Sequence, residues 1–208
     1  MKMNKTKPTK IFSELFDVIL TGNKDDSRVA ARGVRKLLYS SRNSGKYNEL
    51  KAIIENASEK YRKITEDWRR ENFVMAVSVL YYLHNEENSP DFLFPWLFHL
   101  LQHKNGNIRN VARRMIENEL GPLTVHIRVS DWEQSKSKTE QSDIILLSLF
   151  IDLNNLLAGL LESKYKKYKY ISSLPTSPYK TVQMVLSEME DSCGKEYMKR
   201  LKSRLSKC

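Results

Sequence analysis

Glycine and proline are scarce, seven and six among 208 residues. No stretch alternates strongly between apolar and polar side chains. With leucine, lysine, glutamate and serine abundant, that shortage disfavours a turn-rich β architecture and predicts an all-α chain. The two cysteines, Cys193 and Cys208, are too few for a disulfide framework and suit a reducing, cytoplasmic setting. A signal peptide is not expected. The basic start is followed by an apolar run that carries Glu14 and Asp17 and lacks a small-residue cleavage site. The one long apolar run, 144–161, is interrupted by Asp152, Asn154 and Asn155, which predicts a buried core helix rather than a membrane span. A P-loop, a glycine-rich dinucleotide turn, G-x-S-x-G and C-x-x-C are all missing. These absences remove the common phosphate-cleft and triad enzymes, and no cofactor is expected. His99 and His103 have a spacing that can chelate a metal. No Glu follows His99, and His84 and His126 are remote in sequence, so no metal site is predicted.

Positive charge is what the chain has in excess, +10 at neutral pH. Residues 1–63 carry 15 Lys and Arg against 7 Asp and Glu; residues 64–138 carry 9 against 10; residues 139–208 carry 11 against 8. The excess lies mainly in the first third. Two explanations fit it: an acidic partner such as nucleic acid, or a generally lysine-rich proteome.

Apolar spacing of three and four places helices over 8–20, 27–41, 46–63 and 65–84. Asp25 or Asp26 is the expected cap of the second. In residues 89–120, Ser89-Pro90 reads as a helix start and Pro95 as a kink inside that helix. Gly106 is expected at positive φ in a tight Asn105-Gly106-Asn107 turn. Ile108, Val111, Ala112, Met115, Ile116 and Leu120 then form one apolar stripe, closed by Gly121-Pro122. Residues 129–142 read as a polar linker. Further helices are expected over 143–168, from Ser177-Pro178 to about Cys193, and over 195–206.

Leu93-Phe94-Pro95-Trp96-Leu97, then Leu100-Leu101, a polar turn, and Ile108-Arg109 with Ala112 resemble a HEAT repeat. Arg28, Arg69 and Arg109, 41 and 40 residues apart, each open the second helix of a pair, at a HEAT or armadillo repeat length. The resemblance covers about residues 8–122 and is clear only in the third unit. The first two lack the Val or Ile before the arginine and the mid-helix proline. It implies an α-solenoid of about three helix pairs over 1–128, with 143–208 as a C-terminal helical cap.

Two roles fit the repeat arginines. A guanidinium can tie neighbouring units together, or it can face a concave groove, where the HEAT-like arrangement would place the second helices. Arg28, Arg32, Arg35 and Lys36 share one helix face; Arg109 and Arg113 repeat its first two positions, and Arg69 the first. With Arg70 and Arg114 these residues are the candidate surface for DNA, RNA or an acidic protein partner, since arginine meets phosphate and carboxylate bidentately. Lys164, Lys166, Lys167 and Lys169 interleave with Tyr165, Tyr168 and Tyr170, a mixture found both on single-strand binders and on solvated helix ends.

Asp67-Trp68-Arg69-Arg70 is similar in residue type to the alkylpurine DNA glycosylases built from HEAT-like repeats. That resemblance is four residues long. It implies Asp67 as the group stabilising positive charge on a damaged nucleotide, with Trp68 on the sugar or base and an arginine on a phosphate. Asp67 is equally a natural helix cap. The sequence thus favours a non-catalytic helical-repeat scaffold, with a DNA-repair glycosylase and a self-associating assembly module as alternatives.

Overall fold

A computed structural model describes residues 12–40, 46–81, 89, 91–129, 135–163 and 177–205. Among these residues all regular structure is helical, and the predicted all-α class holds. The chain forms two compact units, Met1–Asn85 and Glu86–Cys208.

The first unit contains α1 (Phe12–Thr21), α2 (Lys24–Ser40), α3 (Lys46–Glu55), α4 (Ala57–Arg62) and α5 (Asp67–Leu80). Phe12, Leu15, Phe16 and Ile19 form the buried stripe of α1. It packs on α2 and α5, with Phe16 edge-on to Phe73 at 5.8 Å between ring centres. The cap of α2 is Asn23, not Asp25 or Asp26. Its Oδ1 accepts the backbone N–H of both aspartates at 3.0 Å, filling the role of a side-chain oxygen before the first turn. The single helix expected over 46–63 is two helices, divided at Asn56, whose Nδ2 donates to the Ala52 carbonyl at 2.8 Å. Such a side-chain bond competes with the helical ladder. Helix α5 begins at Asp67 and is buried through Phe73, Val74, Ala76, Val77 and Leu80. It packs on both α1 and α2, the doubly covered position its near-continuous apolar run predicts.

The second unit contains α6 (Phe94–Leu101), α7 (Gly106–Leu123), α8 (Val125–Arg128), α9 (Lys136–Ser163), α10 (Pro178–Cys193) and α11 (Lys195–Leu205). Pro95 does not kink a helix. It occupies the first turn of α6, where a missing N–H costs nothing, and 91–93 form a turn ahead of it. Gly106 is not at positive φ. Asn105 caps α7, accepting the Asn107 N–H at 2.8 Å, and Gly106 is already helical. Nor does Gly121-Pro122 end α7. The helix carries Pro122 in its last turn and stops at Thr124, whose Oγ1 donates to the Leu120 carbonyl at 2.6 Å. Helix α9 begins at Lys136, inside the expected linker. Ser177 caps α10 as predicted, accepting the Lys180 N–H at 3.4 Å, and Gly194 ends it at φ 75°, a conformation that favours glycine.

Helix α9 is core on one face only. Ile145, Leu146, Leu149, Phe150 and Leu153 are buried against α7, α10 and α11. Ile144 is 68% exposed and Leu161 39%. By length and composition α9 could cross a membrane, and 28% of its most apolar 18-residue window is buried.

Candidate anion-binding surface

Helix α2 carries the basic face. Buried Ala30, Ala31, Val34 and Leu38 turn one side of the helix inward, which leaves Arg28, Arg32, Arg35 and Lys36 exposed on the other. From Arg28 to Lys36 the stripe is about 12 Å long at helical rise. Arg28 pairs with Asp25 at 3.2 Å, both exposed, a weak contact in water. Arg32, Arg35 and Lys36 have no ion pair among the described residues. An open groove of about 660 Å³ runs beside the stripe between α1 and α2. Apolar residues, among them Leu15, Val18, Val29 and Leu37, line it together with the charged Asp26 and Lys36. Val29 is 65% exposed there.

Four of the other candidate arginines, Arg69, Arg70, Arg109 and Arg113, are engaged within the fold. Arg69 is buried, and its Nη1 donates to the carbonyls of Ile19 and Gly22, both at 3.0 Å, where α1 ends. Its Nη2 pairs with Glu66 at 3.1 Å and holds that carboxyl down at about 2. The guanidinium also stacks on Trp68 at 4.5 Å. Arg109 is buried in the same manner. Its Nη1 donates to the carbonyls of His103 at 2.7 Å and Lys104 at 3.0 Å, just past the end of α6, and its Nε donates to Thr181 Oγ1. Helix C-termini present orphan carbonyls and partial negative charge, so both guanidinium groups answer a local need. Arg28 lies at the corresponding repeat position but not in the corresponding site. Ser27 Oγ reaches the Ile19 carbonyl at 3.0 Å instead, and Arg28 points to solvent.

Arg70 donates to the Ile64 carbonyl at 2.9 Å, sits over Tyr61 and pairs with Asp67 at 3.6 Å. Arg113 is held between Asn110 and Glu117. Burial raises the Glu117 carboxyl in spite of that pairing. Arg114 is exposed on α7, in the second unit. In the Asp67-Trp68-Arg69-Arg70 segment, Asp67 is exposed at the start of α5 and both arginines are engaged internally. Arg69 is buried there, and Arg70 is about one-third exposed.

His103 Nδ1 accepts the Asn105 N–H at 3.0 Å, and no group of three His, Cys, Asp or Glu among the described residues is placed to hold a metal. The Lys164–Tyr170 segment lies outside the described residues.

One cluster has no sequence signal. Asp143 Oδ1 on α9 receives the Tyr197 hydroxyl of α11 at 2.5 Å and lies 3.1 Å from His126 Nε2 of α8. Burial, then this hydrogen bond, raises the Tyr197 phenol. Burial also pushes the nearby Cys193 thiol up to about 11. The three tied residues are 17 and 54 positions apart, so only the fold brings them together.

No family model matches the chain, and no curated protein or solved structure matches it either.

Proposed function

We propose that the protein is a non-catalytic helical-repeat scaffold that binds an anionic partner through the exposed face of α2. The carrying observation is the contrast among its arginines. Arg69, Arg70, Arg109 and Arg113 are engaged by carbonyls or carboxylates of their own fold, whereas Arg32, Arg35 and Lys36 carry charge with no counterpart among the described residues. A HEAT-like character is supported by Arg69 and Arg109. Forty residues apart, each donates from one Nη1 to two carbonyls: Ile19 and Gly22, in and just past the last turn of α1, for Arg69, and His103 and Lys104, past the end of α6, for Arg109.

Nucleic acid is the first partner to test, by fluorescence anisotropy with duplex and single-stranded oligonucleotides over a salt series. Contacts from Arg28, Arg32, Arg35 and Lys36 would give a log–log salt slope of about −3 to −4 on duplex DNA. Arg32→Glu/Arg35→Glu/Lys36→Glu should abolish binding with unchanged helicity. Absence of binding at low salt removes nucleic acid from the proposal.

The apolar groove beside Lys36 favours a second reading, an acidic amphipathic protein segment. Its apolar side would fill the groove at Val18 and Val29 while its carboxylates meet Lys36 and Arg32. Binding of a designed acidic amphipathic peptide, sensitive to Val29→Lys as well as to the charge reversals, distinguishes this case.

A further inference from the structure

The second unit holds a groove of opposite character. It has a volume of about 640 Å³, within the range of small-molecule sites, and lies between the start of α6 and the middle of α9. Both helices pack on α7 and α10, which leaves the space between them open. Phe92, Phe94, Phe98 and Asp91 come from the α6 side; Ile145, Ser148, Asp152 and Leu156 come from one stripe of α9. The rings of Phe94 and Phe98 stand 6.0 Å apart and are inclined at 56°, forming an aromatic corner.

Asp152 is the only charged residue in the apolar run 144–161, and it lines this groove. Ser148, one turn earlier, donates to its Oδ2 at 3.4 Å. Neither Asp91 nor Asp152 has a cationic partner among the described residues, in a chain of net charge +10.

From this lining we infer that the groove binds a small quaternary ammonium cation of the choline type. Two carboxylates disfavour an anion by repulsion and a neutral apolar ligand by the cost of desolvating them. A hard metal ion needs more oxygen ligands than two aspartates among phenylalanines provide. A primary ammonium brings three N–H donors, each needing an acceptor. A quaternary ammonium has none to satisfy, and its methyl groups present diffuse positive charge to ring faces while the carboxylates supply the opposite charge.

The test is titration of the full-length protein with choline, followed by the aromatic ring signals in ¹H–¹³C NMR. The neutral isostere 3,3-dimethyl-1-butanol serves as the comparison. Saturable shifts confined to the phenylalanines of the groove are expected, with the isostere binding about tenfold more weakly. Asp91→Asn/Asp152→Asn should bring choline down to the isostere's affinity. Both side chains are at least partly exposed, so the variant should keep its circular dichroism spectrum. Equal binding of choline and the isostere, no saturable shift, or an Asn variant that folds and binds choline unchanged would each overturn the assignment. If the variant fails to fold, the comparison of the two ligands on the wild-type chain still decides.

Discussion

Arg69 and Glu66 lie one helical turn apart, and their roles differ. Arg69 holds two backbone carbonyls at the end of α1; Glu66 neutralises its charge from a more exposed position. Arg69→Ala strands the Ile19 and Gly22 carbonyls and is expected to destabilise the first unit by about 3 kcal/mol, measured by urea unfolding. Arg69→Lys should recover only part of this, because a point charge cannot reach both carbonyls and the carboxylate as a fork does. The same substitution has a pH signature. With its carboxyl held near 2 rather than 4.5, Glu66 contributes stability that is present above pH 4.5 and lost as pH falls toward 2. The wild type should therefore lose stability across that window more steeply than Arg69→Ala, in which only the backbone and Thr65 hydrogen bonds still hold the Glu66 carboxyl down.

Helix by helix, the sequence was legible where local chemistry decides and misleading where packing does. Ser177-Pro178 sets the start of α10 by a cap and a fixed φ, and both act within four residues. Pro95 permits two outcomes, a kink in a longer helix or the first turn of a shorter one, and only the turn at 91–93 selects the second. Asn23 and Asn56 look like ordinary polar residues; the first caps α2 and the second divides α3 from α4. The arginines show the same limit at the candidate site. Arg28, Arg69 and Arg109 share a repeat register, yet burial of the last two follows from carbonyls that lie 50 residues away for Arg69 and five or six residues away for Arg109. Charge excess in the first third pointed to α2, and spacing alone could not remove the arginines that the fold consumes. Within α2 itself, Gly33 is a weak point. A methyl group added there would meet Leu15 at 3.5 Å, ordinary contact. Gly33→Ala should stabilise α2 by about 0.5–1 kcal/mol in the same urea assay.

At the scale of the molecule, the two units have separate cores. Phe16, Phe73, Val77 and Leu80 lie in one, and Leu97, Met115, Leu146, Val185 and Met189 in the other. Residues 86–208 expressed alone should thus fold. Cys193 reports on it, because a buried thiol with its ionisation pushed to about 11 resists alkylation near neutral pH. Mass spectrometry should show slow iodoacetamide labelling of Cys193 in the fragment, as in the full chain, and rapid labelling in urea. Equal rates with and without urea would mean that the fragment does not form its core. The first unit is built on a different timetable. The carbonyls that end α1 wait for a guanidinium 50 residues further along the chain. During synthesis from the amino terminus, α1 and α2 emerge before the residue that completes their junction, and the pair is left unlocked until the chain has grown past position 69.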